Sequence, residues 1–582
     1  MIARRVLTSV LAAAARGVVL PAYARRWARF QQQLQAARRI QHELLFSWLR
    51  RCRHTRFGRD HGFGEIQSLT DYRRRIRVSP YSAFAPYIDA VARGEMEALF
   101  PPEERVERFT VTTGSTGVPK LNPVTPTWLR EYRRSWDLWG GKMLCDHMSK
   151  VGGKILQVIG SWDMGRTPGG IPISMVSALL ARHQQPLVRP FYAVPHEVTD
   201  IRDPVARYYA TMRLGLAERI GLIVLMNPGS LLRLAHIADA HRESLIRDIH
   251  NGTLSPSFDI PEAIRRRLLP RIASPDPRRA RELEQIIERT GRLYPKDYWP
   301  QPIIACWLGG TAGYQSKYLP EYFGNSPLRD QGLVSSEGRH TIPFEDHKPE
   351  GVLAINNGFY EFVPVDEAQA ADPEALEGHE LEVDRDYYLV MTTFSGYFRF
   401  NIGDIVRCRG FLGEAPILEF LQKGDRCGDL EGEKVTEHQF LEAASLAARE
   451  QGLRLGLVTA VPTRPADELP CYEIVVEQGD FPDRESARRF LELADRMLAE
   501  RNFLYSARRR EGVLGPLKLL QIPTGEWTRH VQAEIDRRGT GEAHYKHPGL
   551  VQDPGWLQQF VAVDRVRLTQ DSSQTGVLTE AH

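Results

Sequence analysis

Apolar residues repeat along the chain in two different ways. From residue 27 to residue 48 they recur every three or four residues, which predicts one long helix with a single apolar stripe. Further on, short apolar runs alternate with helical patterns, an order that is typical of an α/β core with a partly parallel sheet. The helical stripe consists of Trp27, Phe30, Leu34, Ala37, Ile40, Leu44 and Trp48.

Local sequence signals place the elements of this core. Asp203 followed by Pro204 predicts the start of a helix, because aspartate caps free N–H groups and proline suits the first helical position. A second helix, at residues 279–290, is predicted to end at Gly291. The predicted strands of the core are residues 154–159, 221–226 and 302–308.

After residue 351 the pattern changes to aromatic and β-branched runs, which predict a β-rich part of the same large domain. A break follows at residues 423–426, and Thr436 with Gln439 then forms a capping box for a helix of a small α+β unit. The β-rich runs are residues 359–363, 387–394 and 416–421.

The predicted fold class is therefore α/β. A large amino-terminal domain of sheets flanked by helices, with a β-rich subdomain, precedes a smaller α+β domain, which the resemblance described below implies to be mobile. The predicted parts are a basic segment, the large domain, the small domain and a tail, at residues 1–26, 27–423, 424–552 and 553–582.

The composition narrows the class of protein. The chain has 582 residues, of which 42% are hydrophobic and 26% charged, so it is too long for a single small binding module and ordinary for a globular protein. Its formal net charge is only +3, which creates no strong field for nucleic acid. We therefore expect no nucleic-acid partner.

The amino terminus allows more than one interpretation. Arg4, Arg5 and the apolar run at residues 6–15 imitate an export signal, but Arg16 interrupts the pattern. The run is also shorter than the roughly 20 apolar residues of a membrane span. A basic amphipathic helix could lie on a membrane surface, although packing against the protein's own core is the interpretation we favour. We expect a cytoplasmic protein without stable membrane insertion.

Residues 111–120, Val-Thr-Thr-Gly-Ser-Thr-Gly-Val-Pro-Lys, have the composition of a phosphate-binding loop. Glycines let backbone amides turn towards an anion, hydroxyls add donors, and a lysine supplies positive charge. The Walker A pattern does not fit this stretch, and an ordinary polar turn is the alternative. The candidate phosphate-binding residues are Thr112, Thr113, Gly114, Ser115, Thr116, Gly117 and Lys120.

Two later segments place a carboxylate in a comparable setting. Glu337 follows Ser335 and Ser336, and a carboxylate beside phosphate oxygens is a usual way to hold Mg²⁺. Asp404 stands in a predicted glycine turn, and a carboxylate that accepts two hydrogen bonds suits the vicinal hydroxyls of ribose. Taken alone, each carboxylate could instead be solvated or structural.

In this order the three segments resemble the nucleotide motifs of the adenylate-forming superfamily. The first is similar to its Gly-[Ser/Thr]-[Ser/Thr]-Gly-x-Pro-Lys consensus, and residues 399–404, Arg-Phe-Asn-Ile-Gly-Asp, are similar to its third motif. Within the superfamily the chain resembles the GH3 acyl-acid amido synthetases, specifically their bacterial members. The stretch Phe-Gly-Arg-Asp-His-Gly-Phe at residues 57–63 adds to this resemblance, which covers roughly residues 27–550.

The resemblance implies an adenylate-forming-type large domain that uses ATP and Mg²⁺. The first motif would surround the phosphates, Ser335 and Ser336 would line the nucleotide site, and Glu337 would contact the metal. Asp404, with Arg407 beside it, would bind the ribose. Leu333 departs from the family pattern, which often has an aromatic residue there, so nucleobase stacking should be weaker.

The resemblance also implies catalytic roles for two lysines of the small domain. Lys546 would neutralise phosphate charge during adenylation. Lys434 lies in a loop after the hinge, and that loop would enter the site when the small domain rotates about residues 423–426.

The implied function is that of an AMP-forming ligase. It would adenylate a carboxylic acid, release pyrophosphate and transfer the acyl group to the amine of an amino acid. Its partners would be these small molecules, and we expect a monomer. The alternatives are a ligase with a thiol acceptor such as coenzyme A, a nucleotide-binding scaffold without turnover, and a membrane-surface protein.

Overall fold

The chain folds as two units. The first contains residues 1–421 and 538–545, and the second contains residues 422–537 and 546–582. The computed structural model describes residues 15–113, 119–158, 162–183, 188–368, 373–424, 426–431, 433–465, 468–538 and 545–568.

Helices and strands alternate in the first unit. Its helices are α1 (Leu20–Leu34), α2 (Ala37–Cys52), α3 (Arg56–Asp60), α4 (Leu69–Arg75), α5 (Tyr81–Arg93), α6 (Pro126–Asp146), α7 (Val176–Arg182), α8 (Pro204–Leu216), α9 (Pro228–Ala240), α10 (Arg242–Asn251), α11 (Glu262–Ile272), α12 (Pro277–Thr290), α13 (Pro295–Tyr298), α14 (Gly310–Ser316) and α15 (Leu319–Phe323). Its strands are β1 (Arg108–Thr113), β2 (Pro119–Val124), β3 (Lys154–Gln157), β4 (Ile173–Ser174), β5 (Ile220–Val224), β6 (Ile303–Cys306), β7 (Leu328–Asp330), β8 (Thr341–Ile342), β9 (Glu350–Leu353), β10 (Gly358–Pro364), β11 (Leu376–Glu377), β12 (Asp386–Thr393), β13 (Tyr397–Leu412) and β14 (Ala415–Lys423).

A parallel sheet in the order β3-β5-β6-β7 lies between two hydrophobic cores of this unit, because alternate residues of β5 and β6 belong to each core. Every residue of β5 and β6 is buried, as expected of parallel strands that helices cover on both faces. The predicted core strands are confirmed as β3, β5 and β6 with somewhat different ends, residue 159 lying outside the described residues. Asp203 caps α8 as predicted, and Gly291, with a φ of 73°, ends α12.

The remaining strands of the first unit form two further sheets. β1 pairs with β2 antiparallel and with β4 parallel. The larger sheet has the order β11-β10-β12-β13-β14-β9-β8, and it contains all three predicted β-rich runs, as β10, β12 and β14. Aromatic and aliphatic side chains of this sheet and of α1 to α5 share one of the two cores.

The helix predicted for residues 27–48 is in fact two helices, α1 and α2. The turn between β13 and β14 imposes the break: Glu414 donates its N–H to the carbonyl of Leu34 at 2.8 Å and accepts the N–H of Arg38 at 3.1 Å. Its carboxylate thus satisfies a free N–H at the start of α2. Packing of the stripe on the core is confirmed, because Trp27, Phe30, Leu34, Ala37 and Trp48 are buried.

The second unit is a small α+β fold. Its elements are β15 (Cys427–Gly428), β16 (Val435–Thr436), α16 (Glu437–Glu450), β17 (Thr459–Thr463), β18 (Cys471–Glu477), α17 (Arg484–Arg501), α18 (Phe503–Arg510), β19 (Lys518–Ile522), α19 (Glu526–Arg538) and β20 (Asp564–Arg567).

A four-stranded sheet in the order β17-β18-β19-β20 organises this unit. The predicted capping box of Thr436 and Gln439 is present at the start of α16. Residues 553–568, which the sequence places in a tail, contain a 3-10 turn and the edge strand β20. Together the two units confirm the predicted α/β fold class with a smaller carboxy-terminal α+β part. None of the described helices has the length and apolar character needed to cross a bilayer.

Candidate functional site

The carboxyl ends of β6 and β7 are tied together by one buried side chain. The Asp330 carboxylate accepts the N–H of Leu308, after β6, at 2.6 Å and the N–H of Gly332, after β7, at 2.5 Å. Burial raises the pKa of Asp330 to about 7. Ligands of open parallel sheets bind beyond the carboxyl ends of the strands, so this edge is where a site is expected.

The Ser-Ser-Glu segment follows as a tight turn closed by the N–H of Ser335, which donates to the carbonyl of Gly338 at 2.9 Å. Side chains from β2 and α6 hold its three successive carbonyls. The donors are the Tyr132 hydroxyl to Ser335 at 3.4 Å, the Asn122 amide to Ser336 at 2.8 Å and the Trp128 indole to Glu337 at 3.0 Å. The second predicted motif is therefore held by the strand and the helix that follow the first motif along the chain.

A hydrogen-bonded relay fixes the turn from its other side. Oγ of Ser335 accepts the N–H of Glu337 at 3.2 Å and lies 2.8 Å from Nε2 of His340. Nδ1 of His340 lies 3.2 Å from the Tyr360 hydroxyl. A neutral imidazole donates from one ring nitrogen and accepts at the other, so the hydroxyls of Ser335 and Tyr360 take opposite roles in these two contacts. Sequence reasoning missed His340 and Tyr360.

The Glu337 carboxylate is buried, with 5% of the residue exposed. Burial raises the pKa of Tyr81 to about 12, and the charge of Glu337 contributes to that rise. Burial likewise raises the pKa of Tyr132 and of Tyr397, the Glu337 charge again adding to the effect. A buried carboxylate whose negative charge acts on three tyrosines is an oxygen ligand that suits Mg²⁺, so Glu337 fits the implied metal.

Tyr81 lies near both this carboxylate and Lys120, the lysine of the predicted phosphate loop. The Lys120 ammonium lies 5.5 Å from the centre of the Tyr81 ring. The Tyr81 hydroxyl accepts the N–H of Leu121 at 3.1 Å and donates to its carbonyl at 3.2 Å, which fixes the backbone next to Lys120. Lys120 and Glu337 thus share Tyr81 as a neighbour.

The loop itself joins two paired strands. Thr113 is opposite Pro119, and Thr112 is opposite Lys120, in the β1–β2 hairpin. The predicted phosphate-binding residues Gly114, Ser115, Thr116 and Gly117 lie outside the described residues.

Asp404 lies in β13 rather than in a turn, which corrects the prediction. Asn401 pairs with Val390 and Ile405 with Tyr388, so the strand bulges between them. Gly403 adopts a φ of 78° there, a conformation that favours glycine, and donates its N–H to the Asn401 side chain at 2.8 Å. Asp404 lies within this bulge and is 3% exposed.

Arg407 is three residues further along the same strand. Its guanidinium donates to both oxygens of Asp386 on β12, at 2.7 and 3.0 Å, and this pairing raises its pKa. The contacts described for Arg407 are therefore with Asp386, and its role beside the ribose site stays a prediction.

Arg399, the first residue of the third motif, is part of a buried network of hydrogen bonds. It is buried, has a φ of 52°, and donates to Glu361 at 2.9 Å and to the carbonyl of Ile76 at 2.7 Å. Arg73 donates to the same Glu361 at 2.9 Å. This buried network fixes the start of β13.

In the second unit, Lys434 lies in a loop whose backbone is held by the preceding residue, Glu433. The buried Glu433 carboxylate accepts the N–H groups of Leu430 at 2.8 Å and Glu431 at 2.6 Å, and the Tyr472 hydroxyl donates to it. Lys434 is exposed and has a φ of 45°, which is uncommon for a residue with a side chain. Such strain persists where the surroundings impose it, and it is frequent at functional sites.

Lys546 is exposed on a segment that the same unit holds firmly. His547, the next residue, contacts the Thr459 hydroxyl at 2.8 Å. The N–H of Gly549 donates to Glu437 at 2.6 Å, and the Arg426 guanidinium donates to the same carboxylate oxygen at 2.8 Å. Glu437 therefore connects the predicted hinge to the segment that carries Lys546.

His547 makes the stability of this unit depend on pH. Burial, with the charges of His530 and Arg426, lowers the pKa of His547 to about 3. Below about pH 6.5 the unfolded chain binds a proton at His547 that the folded chain does not bind. The contribution of His547 to the free energy of unfolding is therefore fully present above about pH 6.5 and is lost as the pH falls towards 3. We expect the melting temperature of His547→Gln to decline less between neutral and acidic pH. The exposed His54→Gln is the control, and equal declines in all three proteins would contradict this assignment.

Comparison with known proteins identifies the family and the fold of the chain. Models of the GH3 family N-terminal, central and C-terminal domains match residues 26–328, 351–423 and 438–555. "Indole-3-acetic acid-amido synthetase GH3.3" of Arabidopsis thaliana is 26% identical over 541 residues, covering 88% of this chain and 89% of its own. "Indole-3-acetic acid-amido synthetase GH3.8" of Oryza sativa subsp. indica is 27% identical over 515 residues, covering 83% of each. The solved structure "GH3.15 acyl acid amido synthetase" has the same fold, with a TM-score of 0.81 at 22% identity, over 93% of this chain and 97% of that one.

Proposed function

The chain belongs to the GH3 family, and we propose that it is an ATP-dependent acyl-acid amido synthetase, an AMP-forming ligase that joins a carboxylic acid to an amino acid. Three domain models of that family match in order along most of the chain. The observation that carries the proposal is the Ser335–Glu337 turn, whose carbonyls are held by the strand that follows the phosphate loop and by the next helix. The names of the relatives support amide formation.

Activation is needed because a carboxylate does not react with an amine at a useful rate. Attack of the acid's carboxylate on the α-phosphorus of ATP forms an acyl-adenylate and releases pyrophosphate. We assign Lys120 and the hydroxyls and amides of residues 112–117 to holding the phosphates, and Asp404 to the ribose hydroxyls. Ser335 and Ser336 line the nucleotide site in this assignment, whereas Arg407 is more simply explained by its pair with Asp386.

Mg²⁺ bound at Glu337 would neutralise developing charge on the phosphates. Three side-chain donors hold the backbone of the turn that carries this carboxylate, and the contact between Ser335 and His340 also holds the turn. Such preorganisation lets charge stabilisation act without rearrangement during the reaction.

In the second half reaction the amine attacks the acyl carbonyl, the bond to the phosphate oxygen breaks, and AMP leaves with that electron pair. We propose that the second unit rotates between the halves, Lys546 serving adenylation and the Lys434 loop serving transfer. The proposed hinge is a turn in which Arg426 donates its N–H to the carbonyl of Lys423 at 3.1 Å.

Restricting that turn should separate the two half reactions. Gly424 occupies the second position of the turn and follows a strand, a setting that accepts proline. We expect Gly424→Pro to keep ATP–pyrophosphate exchange within about threefold of the original and to lose at least about tenfold in amide formation, because proline fixes φ. Gly424→Ala is the control. Equal losses in both assays would contradict the rotation.

The function itself is tested by product analysis. Protein, ATP and Mg²⁺ are incubated with pools of carboxylic acids that include indole-3-acetic acid, and with amino acids or coenzyme A in parallel. New masses that match acyl–amino acid amides, with one AMP per amide, support the proposal. Thioesters as the main product, or nucleotide binding without AMP formation in any pool, would contradict it.

The bacterial affiliation of the chain, its two substrates and its oligomeric state remain proposals. Both relatives named above are plant proteins, so placing the chain among bacterial members of the family rests on sequence resemblance alone. The identity of the acid and the amino acid is left to the pools above, and the monomeric state to sedimentation.

A further inference from the structure

The start of the chain has an unusual charge distribution. Its first 42 residues contain eight arginines and no carboxylate, the first acidic residue being Glu43. Because the whole chain has a net charge of +3, the remaining residues carry −5. The match to the GH3 family begins only at residue 26, so the function proposed above does not account for the segment before it.

Part of this charge lies on the solvent side of α1. Leu20, Trp27 and Phe30 are buried on one side of the helix, whereas Arg25 and Arg29, four residues apart, are exposed on the other. The Arg25 guanidinium donates only to a backbone carbonyl, that of Pro21, at 3.2 Å. Within the described part of the chain no carboxylate pairs with either arginine.

Large apolar side chains are exposed beside these arginines. Val18 is 70% and Val19 is 43% exposed, directly before α1. We call the surface formed by Val18, Val19, Arg25 and Arg29 the amino-terminal face. Exposed valines next to arginines are typical of a segment that lies at a membrane interface. In such a segment apolar groups enter the headgroup region and cations pair with anionic lipids. Nucleic-acid backbones offer phosphate but no apolar phase for the valines.

We propose that the amino-terminal face docks on an anionic lipid surface and holds the enzyme at a membrane without crossing it. Arginines near such a surface bind by electrostatic attraction, so the interaction weakens as salt screens the charge. The valines contribute apolar burial that salt does not screen. The proposal requires both the electrostatic attraction of the arginines and the burial of the valines, and a separate experiment tests each.

Sedimentation of the full-length protein with vesicles tests the charge. Vesicles contain phosphatidylcholine alone or with about one third phosphatidylglycerol. We expect binding to the anionic vesicles only, and about 20-fold weaker binding for the double variant Arg25→Gln/Arg29→Gln. Arg266→Gln/Arg267→Gln, which removes two exposed arginines of α11, should bind like the original. Melting temperatures show that all variants fold.

The valines are tested with Val18→Ser/Val19→Ser. We expect weaker binding of this variant at both low and high salt, whereas added salt alone should weaken binding of the original. Equal affinity for neutral and anionic vesicles, an equal effect of the two arginine pairs, or no binding to anionic vesicles would overturn the proposal. So would tighter binding to a single-stranded oligonucleotide than to anionic vesicles. None of these results depends on ligase activity, so docking and the proposed function fail or stand separately.

Discussion

Replacing Lys546 by alanine is expected to slow acyl-adenylate formation by about 10²-fold or more. Negative charge grows on the departing pyrophosphate as the acid attacks, and an ammonium group held nearby stabilises that charge more than it stabilises bound ATP. Lys546 is exposed, and the backbone that carries it is held by the contacts of His547 and Gly549 within the second unit. ATP–pyrophosphate exchange measures the effect directly.

Lys434→Ala provides the matched comparison, because it removes an exposed lysine from the same unit. If Lys434 serves the transfer step, this variant should keep pyrophosphate exchange and lose amide formation. Lys546→Ala should show the reverse when it is supplied with preformed acyl-adenylate. Unchanged exchange in Lys546→Ala, with the protein folded, would remove this lysine from the mechanism.

Glu337→Gln is expected to reduce adenylation by about 10²-fold and to raise the Mg²⁺ concentration needed for half-maximal rate. Glutamine has nearly the same shape, so the donors to the turn carbonyls should keep the backbone in place. The change removes one negative charge and little else. Exchange rates measured over a series of Mg²⁺ concentrations separate a metal ligand from a structural residue.

Glu345→Gln is the control for charge, because it neutralises an exposed glutamate of the same unit. It should leave both the rate and the Mg²⁺ dependence unchanged. A Glu337→Gln variant that is slow but has the original Mg²⁺ dependence would mean that the carboxylate acts on the protein and not on the metal.

Elements defined by local chemistry were predictable from sequence. The capping box of α16 and the buried run of β5 depend on residues within one element, so their patterns are readable without a fold. The break between α1 and α2 was not readable, because Glu414 contacts Arg38 from 376 positions away. The bulge at Gly403 likewise depends on how β13 pairs with β12, and a turn and a bulge both use glycine.

The sequence likewise predicts only some residues of the candidate site. Its motifs name Ser335 and Glu337 but not the side chains that hold their carbonyls, which come from more than 200 residues earlier. Asn122, Trp128 and Tyr132 stand in ordinary strand and helix patterns and carry no signal of this role. His340, only five residues after Ser335, was the partner that sequence could have suggested.

The division of the chain into units also limits how they can be separated. The backbone leaves one unit for the other after residues 421, 537 and 545, so the proposed hinge is one of three connections. A chimera that exchanged the second unit with that of a relative would need three junctions, and a truncation after residue 537 would remove Lys546 together with residues of both units.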